Sequence, residues 1–170
     1  MCDRRDRVLL IQTGGTIDKD YPKTKLGYAF EITDPAVQRI LPKARMGIGY
    51  DVITTCRKDS QDITDEDREK MAKTCMETHS KRILVTHGTD TMIETATYLA
   101  SRVDGKIIII TGAFLPEIFR ATDADFNVGF AMGVLQTMQT PGVFIAINGL
   151  VSLWSKCRRN KDTDMFEGEL

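Results

Sequence analysis

The stretch KRILVTHGTDTMIETATYLASRVDGKIIIITGAF, residues 81–114, decides the fold class. It contains two short apolar runs, residues 83–86 and 107–110, in which polar and apolar positions do not alternate. Runs of this length, rich in Ile and Val, are typical of parallel strands covered on both faces. Between them, four apolar residues at helical spacing form one stripe: Met92, Ala96, Leu99 and Val103. The stretch therefore predicts a strand–helix–strand unit with a right-handed crossover.

The same alternation of strand and helix patterns extends over most of the chain. Three further apolar runs of this kind occupy residues 8–11, 52–55 and 143–147. Three more helices are predicted: one that begins at a Thr64 cap with acids in its first turn, one over residues 123–139, and a shorter one over residues 35–41. We therefore predict an α/β fold, with a doubly wound, mainly parallel sheet in the three-layer arrangement of Rossmann-like and flavodoxin-like proteins.

Length and composition are those of a single globular domain. The chain has 170 residues, of which 42% are hydrophobic and 28% charged, and this is enough to bury one hydrophobic core. We expect residues 1–170 to form one domain, although the regular pattern fades from about residue 150. The balance of 23 basic and 24 acidic residues gives no reason to expect a nucleic-acid or membrane partner. With no secretory signal or membrane-length apolar run, we expect a cytoplasmic protein.

Polar residues gather directly after four of the predicted strands. These loops cover residues 12–16, 57–62, 87–91 and 111–113, and each offers hydroxyl, amide or carboxylate groups. Ligands of parallel α/β proteins bind beyond the carboxyl ends of the strands. If the four strands are neighbours, we expect these loops to form one site.

Each loop taken alone also has a plainer interpretation. The two glycines of TGGT, residues 13–16, suit a tight turn as well as close approach of a ligand, and a nucleotide site is disfavoured because neither G-x-G-x-x-G nor a Walker lysine is present. We interpret His87 as a structural hydrogen-bonding residue. One of Thr89, Asp90 and Thr91 is expected to cap the helix that begins near Met92.

Taken together, the four loops resemble the bacterial-type L-asparaginase family. T-G-G-T-I (residues 13–17) and H-G-T-D-T (residues 87–91) look like its two active-site motifs. Ser60-Gln61 and Gly112-Ala113 look like its substrate-binding loops, and the order and spacing agree from about residue 7 to the tail. The resemblance is to the N-terminal, catalytic domain; we expect no C-terminal asparaginase domain in residues 1–170.

The resemblance implies hydrolysis of a small amide such as L-asparagine to L-aspartate and ammonia through an acyl-enzyme. By position, Thr16 matches the threonine that attacks the amide. Tyr28 matches a tyrosine that assists it from the segment 16–32, which we expect to form a small hairpin or a flap. Thr89 and Asp90 match the second threonine and the aspartate of a Thr-Lys-Asp group.

The resemblance also implies how the substrate is held. Ser60, Gln61 and Asp90 would bind the α-carboxylate and α-amino group of the amino acid, and Ala113 would lie beside the amide. The expected partner is a small-molecule substrate, the expected assembly is a homo-oligomer, and neither a metal nor a cofactor is required.

The position of the family's catalytic lysine is the main departure. An ungapped alignment places Arg159 there, and arginine keeps its proton at physiological pH. A shifted alignment would instead supply Lys156 or Lys161, although the composition of KCRRNK (residues 156–161) favours a solvated basic tail. An enzyme is therefore the first hypothesis, and a non-catalytic amino-acid-binding or regulatory domain is the alternative.

Overall fold

The computed structural model describes residues 7–23 and 29–170. This part of the chain contains ten strands: β1 (Val8–Gly14), β2 (Lys19–Asp20), β3 (Glu31–Ile32), β4 (Tyr50–Lys58), β5 (Arg82–Thr86), β6 (Ile107–Thr111), β7 (Gly142–Ile147), β8 (Leu150–Leu153), β9 (Arg158–Arg159) and β10 (Phe166–Glu167). Its four α-helices are α1 (Val37–Lys43), α2 (Asp65–Glu77), α3 (Met92–Arg102) and α4 (Ala124–Thr137). Short 3₁₀ turns follow β1 at Thr16–Asp18, β4 at Ser60–Asp62 and β8 at Trp154–Lys156.

Six strands form the central sheet, in the order β4-β1-β5-β6-β7-β8. The first five are parallel, and β8 pairs antiparallel with β7 at one edge. The five predicted strands thus lie in the order second, first, third, fourth, fifth, which is the flavodoxin-like order. The predicted α/β fold is confirmed, and the four strands that precede the polar loops are neighbours, as expected.

Helices cover both faces of this sheet. Helices α1 and α4 pack on the face to which Leu10 and Ile109 point, whereas α2 and α3 pack on the face to which Leu9 and Ile108 point. Successive side chains of a strand point to opposite faces, so an uninterrupted apolar run supplies both cores at once. This is why the central strands lack alternation in the sequence.

Strand β4 is the exception to the prediction of coverage on both faces. It lies at the edge of the sheet, pairs only with β1 in the described part of the chain, and leaves Ile53 43% exposed. The expectation that residues 52–55 are buried on both sides was therefore wrong. An apolar run shows that its residues are hydrophobic, but it does not show whether helices cover one or both faces of the strand.

All four predicted helices are present, close to their predicted bounds. Thr64 and Asp67 form the reciprocal capping box at the start of α2. In α4 Ala124, Val128 and Ala131 are buried and Phe130 packs partly buried against the same core, whereas Phe126 is 60% exposed. None of the helices in the described part of the chain combines the length and apolar composition that crossing a bilayer requires.

The segment after β7 is folded onto the domain. Strand β8 extends the sheet, and β9 and β10 form a small antiparallel pair with Phe166 opposite Arg159. Cys157 and Phe166 are buried against the α2–α3 face of the sheet. Lys156, Arg158 and Lys161 are exposed, as a solvated basic tail predicts, but Cys157 within the cluster and Phe166 after it anchor the segment, and Arg159 is only partly exposed.

Candidate functional site

A cavity of about 290 Å³ opens at the carboxyl ends of β1, β4 and β5. Three of the four polar loops contribute to it. The residues that line it are Thr16, Lys19, Asp59, Ser60, Gln61, Gly88, Thr89 and Asp90. The structure thus brings together five of the predicted site residues: Thr16, Ser60, Gln61, Thr89 and Asp90.

Backbone contacts fix one wall of the cavity, where the loops after β1 and β5 touch. Gly15 has a φ of 82°, and a Cβ atom on it would lie 2.3 Å from the amide nitrogen of Gly88. A Cβ on Gly88 would in turn lie 2.7 Å from Ser60 Oγ. The Gly15 amide donates to the carbonyl of Lys58 at 2.9 Å, and Thr13 Oγ1 donates to the carbonyl of Thr86 at 2.8 Å. Glycine is required here because three chain segments meet at backbone distance.

His87 supports this wall from below and takes no part in the cavity. Its Nδ1 lies 2.7 Å from the carbonyl of Gly88, which can only accept, so Nδ1 carries the proton. Nε2 then accepts from the hydroxyl of Thr95 at 2.8 Å. Burial lowers the pKa of His87 to about 4, so the ring is neutral at physiological pH. The interpretation of His87 as a structural hydrogen-bonding residue is confirmed.

Asp90 occupies the opposite side and is held by two donors. Gln61 Nε2 donates to its Oδ2 at 2.7 Å, and Arg159 Nη1 donates to its Oδ1 at 2.8 Å. These hydrogen bonds, first that of Gln61 and then that of Arg159, lower the pKa of Asp90 below its usual range. Asp90 is therefore a carboxylate whose negative charge is already partnered.

Arg159 is held in place by two carboxylates and two aromatic rings. Its Nη2 donates to Asp164 Oδ2 at 2.7 Å. The guanidinium carbon lies 5.4 Å from the ring centre of Phe114 and 5.7 Å from that of Phe166, within the range of cation–π attraction. The side chain is 23% exposed. The chain therefore presents an arginine to Asp90, as the ungapped alignment predicts.

The two lysines considered as substitutes lie elsewhere. Lys156 Nζ donates to the backbone carbonyl of Leu170 at 2.7 Å. Lys161 is exposed in the turn that joins β9 to β10. Neither residue lines the cavity.

Lys19 is the amine that lines the cavity, and the sequence analysis missed it. It follows Thr16 by three residues, and its Nζ forms an ion pair with Asp59 Oδ2 at 2.8 Å. The hydrogen bond from Lys19 lowers the pKa of Asp59. The available signal was the spacing: a 3₁₀ turn that begins at Thr16 points the residue three positions later to the same side.

Asp18 closes the base of the same loop. It is buried, its Oδ1 accepts from the amide of Ala36 at 2.7 Å, and its Oδ2 has no hydrogen-bond partner in the described structure. Burial raises the pKa of Asp18 to about 6. The loop that carries Thr16 is therefore tied to the start of α1 through a carboxyl group that resists ionisation.

The remaining predicted residues have different positions. Ala113 is fully buried at the end of β6, in the same apolar cluster as Ile17, and is not among the residues that line the cavity. Tyr28 lies outside the described residues. Thr91 stands at the N-cap of α3 without a side-chain cap bond, because its hydroxyl donates to the carbonyl of Ser60 at 2.7 Å.

Residues of the kinds that bind metals do not cluster at this site. Within residues 7–23 and 29–170, no three His, Cys, Asp or Glu side chains lie together in a way that could hold a metal ion. The functional groups that face the cavity are hydroxyls, an amide, two carboxylates and one amine. Such a set suits recognition of a small polar molecule and attack by a hydroxyl.

Comparison with known proteins identifies relatives of the whole described domain. The chain is 26% identical to an L-asparaginase of Thermococcus kodakarensis over 155 residues, which are 88% of this chain and 46% of that protein. It is 35% identical over 99 residues to a protein of Haemophilus influenzae named probable L-asparaginase periplasmic, covering 54% of this chain and 28% of that protein. The chain thus spans about half the length, or less, of the relatives it matches.

Solved structures and a family model agree with these relatives. The crystal structure described as a probable cytoplasmic L-asparaginase from Campylobacter jejuni superimposes with a TM-score of 0.82 at 24% identity, over 95% of this chain and 52% of that chain, and thus shows the shared fold. The family model "Asparaginase, N-terminal" matches residues 7–167. Because this match extends over most of the sequence, the chain belongs to the asparaginase family and carries its N-terminal domain.

Proposed function

We propose that this chain is an amidohydrolase that hydrolyses a small side-chain amide, such as that of L-asparagine, with Thr16 as nucleophile. The observation that carries the proposal is the composition of one cavity. Thr16, Thr89 and Asp90 line it together with Ser60 and Gln61, although they follow three different strands. The relatives named L-asparaginase support the choice of substrate class.

The proposed reaction has two steps. The Thr16 hydroxyl oxygen attacks the amide carbon, the C–N bond breaks, and ammonia leaves with the proton that the hydroxyl lost. Water then hydrolyses the acyl ester, which releases the acid and restores Thr16. The backbone N–H of Thr16 is a candidate to stabilise the tetrahedral oxyanion, a contribution worth about 3–4 kcal/mol per donor in other enzymes.

Lys19 is the proton acceptor that we propose for this reaction. A threonine hydroxyl is a poor nucleophile unless a base removes its proton, and arginine cannot serve because it does not release its own. Lys19 lines the same cavity as Thr16, and Asp59 holds its amine at 2.8 Å. In the proposed step the neutral form of this amine takes the proton, and the ion pair with Asp59 then stabilises the ammonium that results. The two residues would act as the lysine and aspartate of a Thr-Lys-Asp group, from a different place in the chain.

Ammonia release tests the proposal. Purified protein is incubated with asparagine, glutamine and other ω-amides, beside Thr16→Val, which removes the hydroxyl but keeps the shape. We expect Thr16→Val to lose about a thousandfold or more in kcat with an unchanged thermal unfolding midpoint, whereas Thr16→Ser keeps measurable turnover. Equal rates of ammonia release for wild type and Thr16→Val would contradict the proposal that Thr16 is the nucleophile of an amide hydrolase.

Two substitutions of Lys19 separate a base from a mere positive charge. Lys19→Arg keeps the charge and cannot accept a proton, while Lys19→Met removes both. If Lys19 acts as the base, both variants should lose activity to a similar degree, about a hundredfold or more in kcat. A Lys19→Arg variant close to wild type would leave Thr16 with another proton acceptor.

A non-catalytic amino-acid-binding domain is the second candidate, and Arg159 is the observation that favours it. An arginine stands against Asp90, where the family resemblance places a lysine. Calorimetric titration with L-aspartate and L-asparagine distinguishes the two candidates. Heat of binding without ammonia release supports the binding domain, and ammonia release excludes it.

The assembly and the cellular location of the protein are further parts of what we propose. We propose that residues 1–170 act as an asparaginase N-terminal-like domain in a homo-oligomer located in the cytoplasm. Exposed Phe126, whose ring stacks on that of the partly buried Phe130, offers apolar surface for self-association. Sedimentation velocity at several protein concentrations checks the assembly, and a single monomeric species throughout would contradict it.

A further inference from the structure

Two hydrogen bonds join the loops after β4 and β5 beside the cavity. Gln61 Nε2 donates to Asp90 Oδ2 at 2.7 Å, and the hydroxyl of Thr91 donates to the backbone carbonyl of Ser60 at 2.7 Å. Each bond connects one residue of the pair Ser60–Gln61 with one residue of the pair Asp90–Thr91. Because neighbouring bonds between the same two segments restrict their relative movement, they fix one loop against the other.

Thr91 makes its bond in place of a local alternative. It occupies the N-cap position of α3, where a threonine hydroxyl normally accepts from an amide of the first turn and stabilises the helix by about 1 kcal/mol. Thr91 makes no such bond, and its φ of −119° and ψ of 25° differ from the extended conformation of an ordinary N-cap. Thr64, at the start of α2, does cap its helix with the same side chain. The hydroxyl of Thr91 therefore serves the neighbouring loop instead of its own helix.

The carbonyl that accepts from Thr91 belongs to a turn that carries two cavity residues. Ser60 begins the 3₁₀ turn Ser60–Asp62, and both Ser60 and Gln61 line the cavity. The Ser60 carbonyl also accepts from the amide of Ile63, at the longer distance of 3.3 Å. Thr91 itself is not among the residues that line the cavity in the described structure. It therefore holds the turn from outside the surface that a ligand would contact.

Two other restraints on this turn are weaker. Asp59 Oδ1 accepts from the amide of Gln61 at 3.4 Å, which is long for a hydrogen bond. Gly88 packs so closely on the turn that a Cβ on it would lie 2.7 Å from Ser60 Oγ. A steric contact of this kind prevents closer approach but does not prevent the turn from moving away. The short bond from Thr91 is the contact that opposes such movement.

We infer that Thr91 is a positioning residue for substrate binding, because its hydroxyl holds the Ser60–Gln61 turn in the place where the cavity receives the carboxylate of the substrate. The inference rests on the proposed function, in which Ser60 and Gln61 hold the substrate. Thr16 and Lys19 belong to the loop after β1, which backbone contacts fix independently. Loss of the Thr91 bond should therefore weaken binding more than it slows the chemical step.

Steady-state kinetics of Thr91→Val test the inference, because valine keeps the shape of threonine and lacks the hydroxyl. The substrate is L-asparagine or L-glutamine, whichever the wild type hydrolyses faster. We expect KM to rise by about tenfold and kcat to stay within about threefold of wild type. Thr91→Ser keeps the hydroxyl and should show a KM within about threefold of wild type. An unchanged KM in Thr91→Val, or a fall in kcat alone as a loss of folded protein would give, overturns the inference.

Thr97→Val is the matched control for removal of a hydroxyl from the same helix. Thr97 is exposed, and its hydroxyl also donates to a backbone carbonyl, that of Ile93 at 2.9 Å. It does not line the cavity in the described structure, so KM and kcat should remain those of wild type. An equal rise of KM in Thr97→Val and Thr91→Val overturns the specific role of Thr91.

A double-mutant cycle with Gln61→Ala shows whether Thr91 acts through the turn. Gln61→Ala removes one of the two cavity side chains that the turn positions. In this background Thr91→Val should raise KM by about threefold or less, compared with about tenfold in the wild type. A full tenfold rise in both backgrounds would make the two residues independent and overturns the inference.

Binding measurements separate failure of this inference from failure of the hydrolase. If no amide is hydrolysed, the proposed function fails, and calorimetric Kd values for L-aspartate take the place of KM. A Kd about tenfold higher in Thr91→Val than in wild type and Thr97→Val supports the inference, and equal Kd values overturn it. A wild-type protein that neither hydrolyses the amides nor binds aspartate overturns the inference together with the proposed function.

Discussion

The two sides of the cavity are built on different physical principles. On one side, Gly15 and Gly88 meet at backbone distance, so that steric exclusion alone fixes the geometry. On the other, Arg159 and Asp90 meet through long side chains held by charge, hydrogen bonds and aromatic rings. The first side tolerates no added atom, whereas the second can change its chemistry through a single substitution without moving the backbone. Graded perturbations of the two sides test this difference.

The largest effect is expected at the glycine contact. Gly15→Ala places a Cβ 2.3 Å from the Gly88 nitrogen and forces an alanine to a φ of 82°, so the free energy of unfolding should fall by about 4 kcal/mol. Gly133→Ala is the matched control, because nothing lies within 4 Å of a Cβ there and helix propensity improves. Urea denaturation measures both, and equal stability of the two variants would contradict the steric wall.

The next largest effect is expected at Asp18, whose contribution to the free energy of unfolding depends on pH. Its folded pKa is about 6 against 3.8 for the ordinary carboxyl, so the folded state favours the protonated form. Below about pH 4 Asp18 is protonated in both the folded and the unfolded state and does not change the free energy of unfolding. As the pH rises towards 6, Asp18 ionises in the unfolded state first, so the free energy of unfolding falls. Above pH 6 the loss reaches roughly 3 kcal/mol.

Asp18→Asn removes the titration and isolates this contribution. The free energy of unfolding of the variant minus that of wild type should increase by roughly 3 kcal/mol between about pH 4 and pH 7. Chemical denaturation at a series of pH values gives this difference directly. A difference independent of pH would show that Asp18 titrates normally.

A smaller effect is expected at Asn127, which connects the loop after β6 to the segment that leads to Arg159. Its Nδ2 donates to the carbonyl of Gly112 at 3.0 Å, and its Oδ1 accepts from the amide of Asn148 at 2.9 Å. Asn127→Ala leaves both backbone groups without these partners and should lower stability by about 2 kcal/mol. Thr137→Ala, an exposed position on the same helix, should change it by less than about 0.5 kcal/mol; equal losses would assign no special role to Asn127.

The smallest effect is expected at Arg158. Its pair with Glu167 is exposed, with the arginine side chain 79% accessible, so Arg158→Gln should change the free energy of unfolding by about 0.5 kcal/mol or less. Raising the salt concentration should shrink even that difference. A loss above about 1 kcal/mol in thermal or urea unfolding would mean that β9 depends on its outer ion pair.

Most of the fold and half of the site followed from local sequence. The central strands are continuous apolar runs because helices cover both of their faces, and parallel strands bring their carboxyl ends to one edge. Thr16, Ser60 and Thr89 could therefore be grouped before any coordinates. The crowding of Gly15 on Gly88 explains why glycine stands at these two positions.

The remaining features depend on contacts between distant parts of the chain. The Lys19–Asp59 pair joins residues 40 positions apart, and the Arg159–Asp90 bond joins residues 69 apart. The spacing from Thr16 could have placed Lys19 at the cavity, but no local pattern shows that Asp59 is its partner or that Asp90 is the partner of Arg159. The buried face of α4 was also ambiguous, because apolar residues lie on most sides of that helix and one of the largest, Phe126, is exposed.

The edge position of β4 has a consequence for the behaviour of the protein at high concentration. In the described part of the chain no strand pairs with its outer side, and such an edge is a template for strand addition by another molecule. Asp51, Arg57 and Lys58 are spaced along it, and burying their charges opposes that addition. The strand that leads to Asp59 and Ser60 at the cavity thus also carries the charged side chains that oppose aggregation through its own edge.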